Sequence, residues 1–201
     1  MHRKSEEKME RRVFIVSELR TETADDTRKI VGHAAVFNVV GDGGWFYEQI
    51  APGAFTSSIA EDDIRMLFNH NPDFILGRNR SGTLKLREDE KGLWIENVPP
   101  DTQAARDLMV SIDRGDISQM SFGFQTLADQ WDRDPEGGKD LRTLLKVRLW
   151  DVSPVTFPFY KETDVALRSH DEWTKTRAQP GEAFDHTRLL TLRTNLIAKR
   201  R

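Results

Sequence analysis

A short stretch in the middle of the chain, Met120-Ser121-Phe122-Gly123-Phe124, alternates large apolar residues with small ones. Side chains along a strand point to opposite faces in turn, so Met120, Phe122 and Phe124 share one face and suit a core. Ser121 and Gly123 share the other, and the glycine leaves room for an approaching backbone. This pattern demands a strand with one buried face. It also holds a hydroxyl on a rigid support, expected to be exposed, which is a candidate nucleophile. Most serines on strands are only solvated, so the assignment needs a base and an orienting group elsewhere in the chain.

The rest of the sequence supplies many short strand-like runs between turn signals. Val13 to Val16 suits a buried strand, and residues 1–11 read as a charged leader. Thr21 to Arg28 reads as a polar turn. Lys29 to Val40 and Trp45 to Ile50 read as strands around the Gly41-Asp42-Gly43-Gly44 loop. That loop lacks the Gly-Lys-Ser/Thr context of a phosphate cradle. Ala54 to Ala60 reads as a short helix. Ile64 to Phe68 is a strand ending at Asn69-His70-Asn71-Pro72, residues that favour turns and strand ends. His70 therefore belongs at the rim of the sheet.

Gly82 to Arg87 and Leu93 to Val98 form a hairpin around an acidic tip, Glu88 to Gly92. Asp101 is placed to cap a helix from Thr102 to about Arg114. Its apolar stripe is Ala104, Ala105, Leu108, Met109 and Ile112, and Gly115 ends it. Leu141 to Trp150 reads as a long strand with Leu144, Lys146, Arg148 and Trp150 on one face. Asp151 follows, and its plain reading is an edge position facing water. From His170 onward the composition turns polar, with a Pro180-Gly181 break. The stretch Thr187 to Ala198 has an amphipathic helical pattern before a basic end.

Short strands, few helices and Gly/Pro turns together predict a β-rich α+β fold, an antiparallel β-barrel or sandwich with helices outside. The domain is expected over 12–168, with 169–201 a linker and basic tail. The absence of cysteine excludes disulfides, thiol catalysis and cysteine-ligated zinc. A net charge of −3 gives no electrostatic pull toward nucleic acid. No apolar run is long enough to span a membrane. The expected protein is soluble and works inside a cell.

His70, Ser121 and Asp151 stand out on this framework. A hydroxyl attacks an amide at neutral pH only if a base takes its proton, and imidazole does this best. A third group then fixes the imidazole and stabilises its charged form. The chain order of histidine, serine and acid differs from those of familiar serine hydrolases, and no Gly-x-Ser-x-Gly elbow is present.

Five blocks in this order resemble the HK97-type prohead maturation proteases of tailed bacteriophages. They are Gly32 to Asn38, Glu48 to Phe55, Leu67 to His70, Gly115 to Phe124 and Asp151 to Pro158. The resemblance runs from about Arg12 to Arg168. It implies a fold like that of the herpesvirus assembly proteases, a β-barrel with helices around it, and a serine endopeptidase needing no metal or cofactor. On this pattern His70 is the base and Ser121 the nucleophile, with Ser118 the rival serine on the opposite strand face. Asp151 is the third member, with His33 the competitor, since the viral enzymes use a second histidine. Ser121 Oγ is then expected within about 4 Å of a His70 ring nitrogen. The implied partners are the major capsid protein precursor with its scaffolding segment, and the protease itself, with a homodimer left open. The implied setting is the host cell cytoplasm, inside the procapsid. The alternatives are a non-catalytic β-barrel assembly factor, marked by a Ser121–His70 separation too large for proton transfer, and a small-molecule esterase.

Overall fold

The computed structural model describes residues 9–14, 18–24, 27–134, 138–157, 169–170 and 173–174. Among them the elements run β1 (Glu10–Phe14), β2 (Arg20–Ala24), β3 (Thr27–Val36), β4 (Gly41–Asp42), β5 (Tyr47–Ile50) and α1 (Thr56–Glu61). Then come β6 (Arg65–Phe68), β7 (Asn71–Arg78), β8 (Leu84–Glu88), β9 (Gly92–Asn97), α2 (Gln103–Asp113), β10 (Gln119–Asp132) and β11 (Leu141–Val155). The amphipathic pattern over 187–198 lies outside the described residues.

Two sheets form. One has the order β1-β10-β11-β5-β4, with β6 joined to β11 and β7 joined to β6; the other has the order β2-β3-β9-β8. The architecture is the β-rich α+β fold expected, but no closed barrel forms among the described residues. Both edges of β3 are taken, by β2 and β9. The first sheet therefore does not continue through β3, and β1, β4 and β7 remain its ends. β11 explains how one strand serves so many neighbours. Its first half pairs with β5 in parallel, Leu141 to Leu144, and its second half with β6, Asp151 and Val152.

The main core fills the space between the sheets and α2, with Ile30, Ile50, Phe55, Met66, Leu93, Met120, Phe122, Phe124 and Val152 fully buried. The alternation of Met120, Phe122 and Phe124 is thus realised. In α2 the stripe of Ala105, Leu108, Met109 and Ile112 is buried while Ala104 is exposed. The cap is Thr102, whose hydroxyl accepts from the Ala105 N–H, and Asp101 instead pairs with Arg106. Gly115 closes the helix at φ 80°, a conformation that suits glycine. The β8–β9 hairpin forms as expected, and Asp89 organises its tip by accepting from the Lys91 and Gly92 N–H groups, both at 3.0 Å.

Several local expectations change. Arg20–Ala24 is a strand although it is polar, because it is an edge pairing only with β3. Gly41–Asp42 pairs with β5 rather than staying a loop. β1 begins at Glu10, which is buried, inside the stretch read as a leader. Beyond Arg168, Ser169, His170 and Trp173 meet Trp45, Phe46 and Trp131 in a second aromatic cluster.

Candidate active site

His70 stands in the tight turn between β6 and β7. Asn69 and His70 have φ of 54° and 56°, the left-handed pair that a two-residue hairpin turn requires. Asparagine tolerates this conformation, whereas histidine there costs about 1–2 kcal/mol. Neighbouring contacts hold the turn. The Asn69 N–H donates to the Pro154 carbonyl at 3.0 Å. The Asn69 side chain accepts from the Thr156 N–H at 2.9 Å and donates to the Thr156 hydroxyl at 3.0 Å. The end of β11 thus clamps the turn that carries His70.

Ser121 lies near the start of β10, and Asp151 and Ser153 lie near the end of β11. The antiparallel ladder sets Ser121 opposite Ser153 and Gly123 opposite Asp151. All four positions share the face away from the aromatic core. The His70 ring completes the group. Its Nε2 is 2.6 Å from Ser121 Oγ, and its Nδ1 is 2.6 Å from Asp151 Oδ2. A carboxylate only accepts, so Nδ1–H donates to it, and the free Nε2 lone pair accepts from the serine hydroxyl. The three residues expected from the sequence are brought together, closer than the expected 4 Å.

Two details differ from expectation. Ser121 is fully buried rather than exposed, beneath an imidazole whose side chain is 8% exposed. Asp151 is not at an edge facing water. It sits between β10 and β6, with a side chain 7% exposed. Its burial is offset by the hydrogen bonds it accepts.

The rivals lie elsewhere. Ser118 precedes β10 and is exposed, so strand parity does not apply to it. His33 is held between Glu18, 2.8 Å from Nδ1, and Asp89, 3.1 Å from Nε2, and packs edge-on against Trp94. Both of its nitrogens are committed there. Sequence reasoning missed Ser153, whose hydroxyl donates to Asp151 Oδ2 at 2.7 Å. The spacing of Asp-x-Ser opposite Ser-x-Gly was legible, but only once the register was known. No cluster of three or more histidine or acidic residues suited to a metal occurs among the described residues. No helix among them is long and apolar enough to cross a membrane.

A histidine, a serine and an acid joined in one hydrogen-bonded row on a β-rich α+β framework is the arrangement of a serine hydrolase. Residues 16–176 match the family described as Caudovirus prohead serine protease, Peptidase_S78. The chain belongs to that family and is a serine protease of phage capsid maturation. Among solved structures it is similar to the bacteriophage T4 capsid assembly protease, gp21. That match has a TM-score of 0.47 and 10% identity, over 75% of this chain and 99% of that one. No curated protein matches the chain.

Proposed function

We propose that this protease cuts the scaffolding segment from the major capsid protein precursor inside the procapsid, and cuts itself, with Ser121 as nucleophile. The observation that carries this reading is the row Ser121 Oγ, His70 Nε2, His70 Nδ1, Asp151 Oδ2, with both contacts at 2.6 Å. His70 takes the Ser121 proton as Oγ attacks the scissile carbonyl carbon. The imidazolium then gives that proton to the leaving amine, and an acyl-enzyme remains. Water enters, His70 takes its proton as the water oxygen attacks the acyl carbon, and the acyl bond to Ser121 breaks as the imidazolium returns the proton to Oγ. Asp151 holds Nδ1–H throughout and stabilises the positive ring; it does not itself take the proton.

The short Ser121–His70 contact argues against a non-catalytic assembly factor, whose mark was a separation too large for proton transfer. The buried hydroxyl means that substrate must displace local cover before attack. The test is incubation of the purified chain with its capsid precursor. Wild type should release the scaffolding segment, and Ser121→Ala should leave the precursor intact. Equal cleavage by both would overturn the assignment.

A further inference from the structure

Asp151 is held from two sides beyond its bond to His70. The Ser153 hydroxyl donates to Oδ2, the same oxygen that receives His70 Nδ1–H, at 2.7 Å. Ser153 is fully buried and is fixed opposite Ser121 by the ladder. On the other side lies Gly123, opposite Asp151. A Cβ added at Gly123 would come 2.4 Å from Asp151 Oδ1, so the carboxylate occupies the space that a side chain would take. The two strands therefore form a seat with a donor on one flank and a gap on the other.

We infer that Ser153 is a positioning residue for proteolysis, setting the angle and charge of the Asp151 carboxylate, with Gly123 supplying the space. The inference rests on the proposed roles of His70, Ser121 and Asp151. Without the Ser153 donor, Oδ2 carries more uncompensated charge toward Nδ1–H, which favours the protonated ring. It is also freer to rotate, which misplaces the base. A hydrogen bond to a charged group is strong enough for its loss to cost about tenfold or more in rate. A purely structural serine would instead lower the folded fraction and leave the chemistry of the remainder unchanged.

The experiment measures cleavage of the capsid precursor by wild type, Ser153→Ala, Ser153→Thr, Gly123→Ala, Asp151→Asn and the double variant Ser153→Ala/Asp151→Asn. Ser153→Ala should lower kcat about tenfold with KM within about twofold, and should move the acid limb of kcat/KM to higher pH. Ser153→Thr, which keeps the hydroxyl, should recover most of the rate. Gly123→Ala should cost more than Ser153→Ala, because it pushes the carboxylate itself. Asp151→Asn should cost roughly 10²- to 10⁴-fold. In that background Ser153→Ala should add less than about twofold, since it acts through a group already altered. An equal loss in both backgrounds, or an unmoved limb, would overturn the role of Ser153. A silent Asp151→Asn would instead overturn the triad on which it rests.

Discussion

At the scale of single residues, two histidines with largely covered rings have opposite surroundings. His70 holds a serine on one nitrogen and a buried carboxylate on the other, in a left-handed turn that its neighbours enforce. His33 holds two carboxylates and an indole edge, with no hydroxyl in reach of its ring among its hydrogen bonds. It ties β3 to the β8–β9 tip and to Glu18. His33→Ala should therefore lower the melting temperature while precursor cleavage stays within about threefold of wild type. Glu18 and Asp89 are partly exposed and keep other donors, so most of the cost is the lost packing of the buried ring against Trp94. A loss of turnover as large as that expected for Asp151→Asn would show that the dyad is oriented by a second histidine. The sequence singled out Ser121 on an alternating strand and His70 at a strand end, while their grouping with Asp151 came from the family resemblance, since Asp151 by itself read as an edge acid. Their burial was not legible, since it depends on which elements cover the face that a strand pattern leaves polar.

Strands β1, β5, β10 and β11 are joined at one end of the sheet by charge. Arg142 is fully buried and donates to Glu10 at 2.8 Å, to Glu48 at 3.1 Å and to Asp129 at 2.7 Å. Arg12 bonds Glu48 and also Glu10, the latter at 2.9 Å. Burial would push the Glu10 carboxyl up, but Arg142 and Arg12 outweigh it and hold it below its ordinary 4.5. Burial likewise works against the Arg142 charge, and Glu10, Glu48 and Asp129 more than restore it. A depressed carboxyl contributes stability that is present above its unfolded pKa and lost as pH falls through the lower, folded one. Acid should thus loosen β1, the neighbour of the Ser121 strand, starting below about pH 4.5. Arg142→Ala leaves the buried Glu10 and Glu48 to share Arg12 alone, with one negative charge uncompensated, and should cost about 3–5 kcal/mol in urea unfolding at neutral pH. A cost under about 1 kcal/mol would mean that the network is incidental. This cluster could not be read from the sequence, because its members are up to 132 positions apart. The faces of β11 were misread for a related reason. The register with β10 slips near Gly123, Thr126 and Ala128, so Leu144 is buried and Lys146 exposed where strict alternation put them together.

For the whole molecule, strand content and the main hairpin followed from turn residues and alternation, which are local signals. Sheet order, the open first sheet and the docking of Ser169, His170 and Trp173 on Trp45 and Trp131 are long-range outcomes that no window of sequence holds. The candidate site belongs to this level too. His70 and Asp151 are 81 positions apart and meet because β6 pairs with β11, and Ser121 joins them because β10 pairs with β11 as well. The hydroxyl should accordingly be reactive in the folded chain alone. The most direct measurement is to treat native protein with a small serine-directed phosphonofluoridate and to map the adduct by mass spectrometry, with urea-unfolded protein beside it. The account predicts one adduct, on Ser121, in native protein, lost in Ser121→Ala and on unfolding. An adduct on Ser118, or none in a preparation that still cuts the capsid precursor, would contradict it.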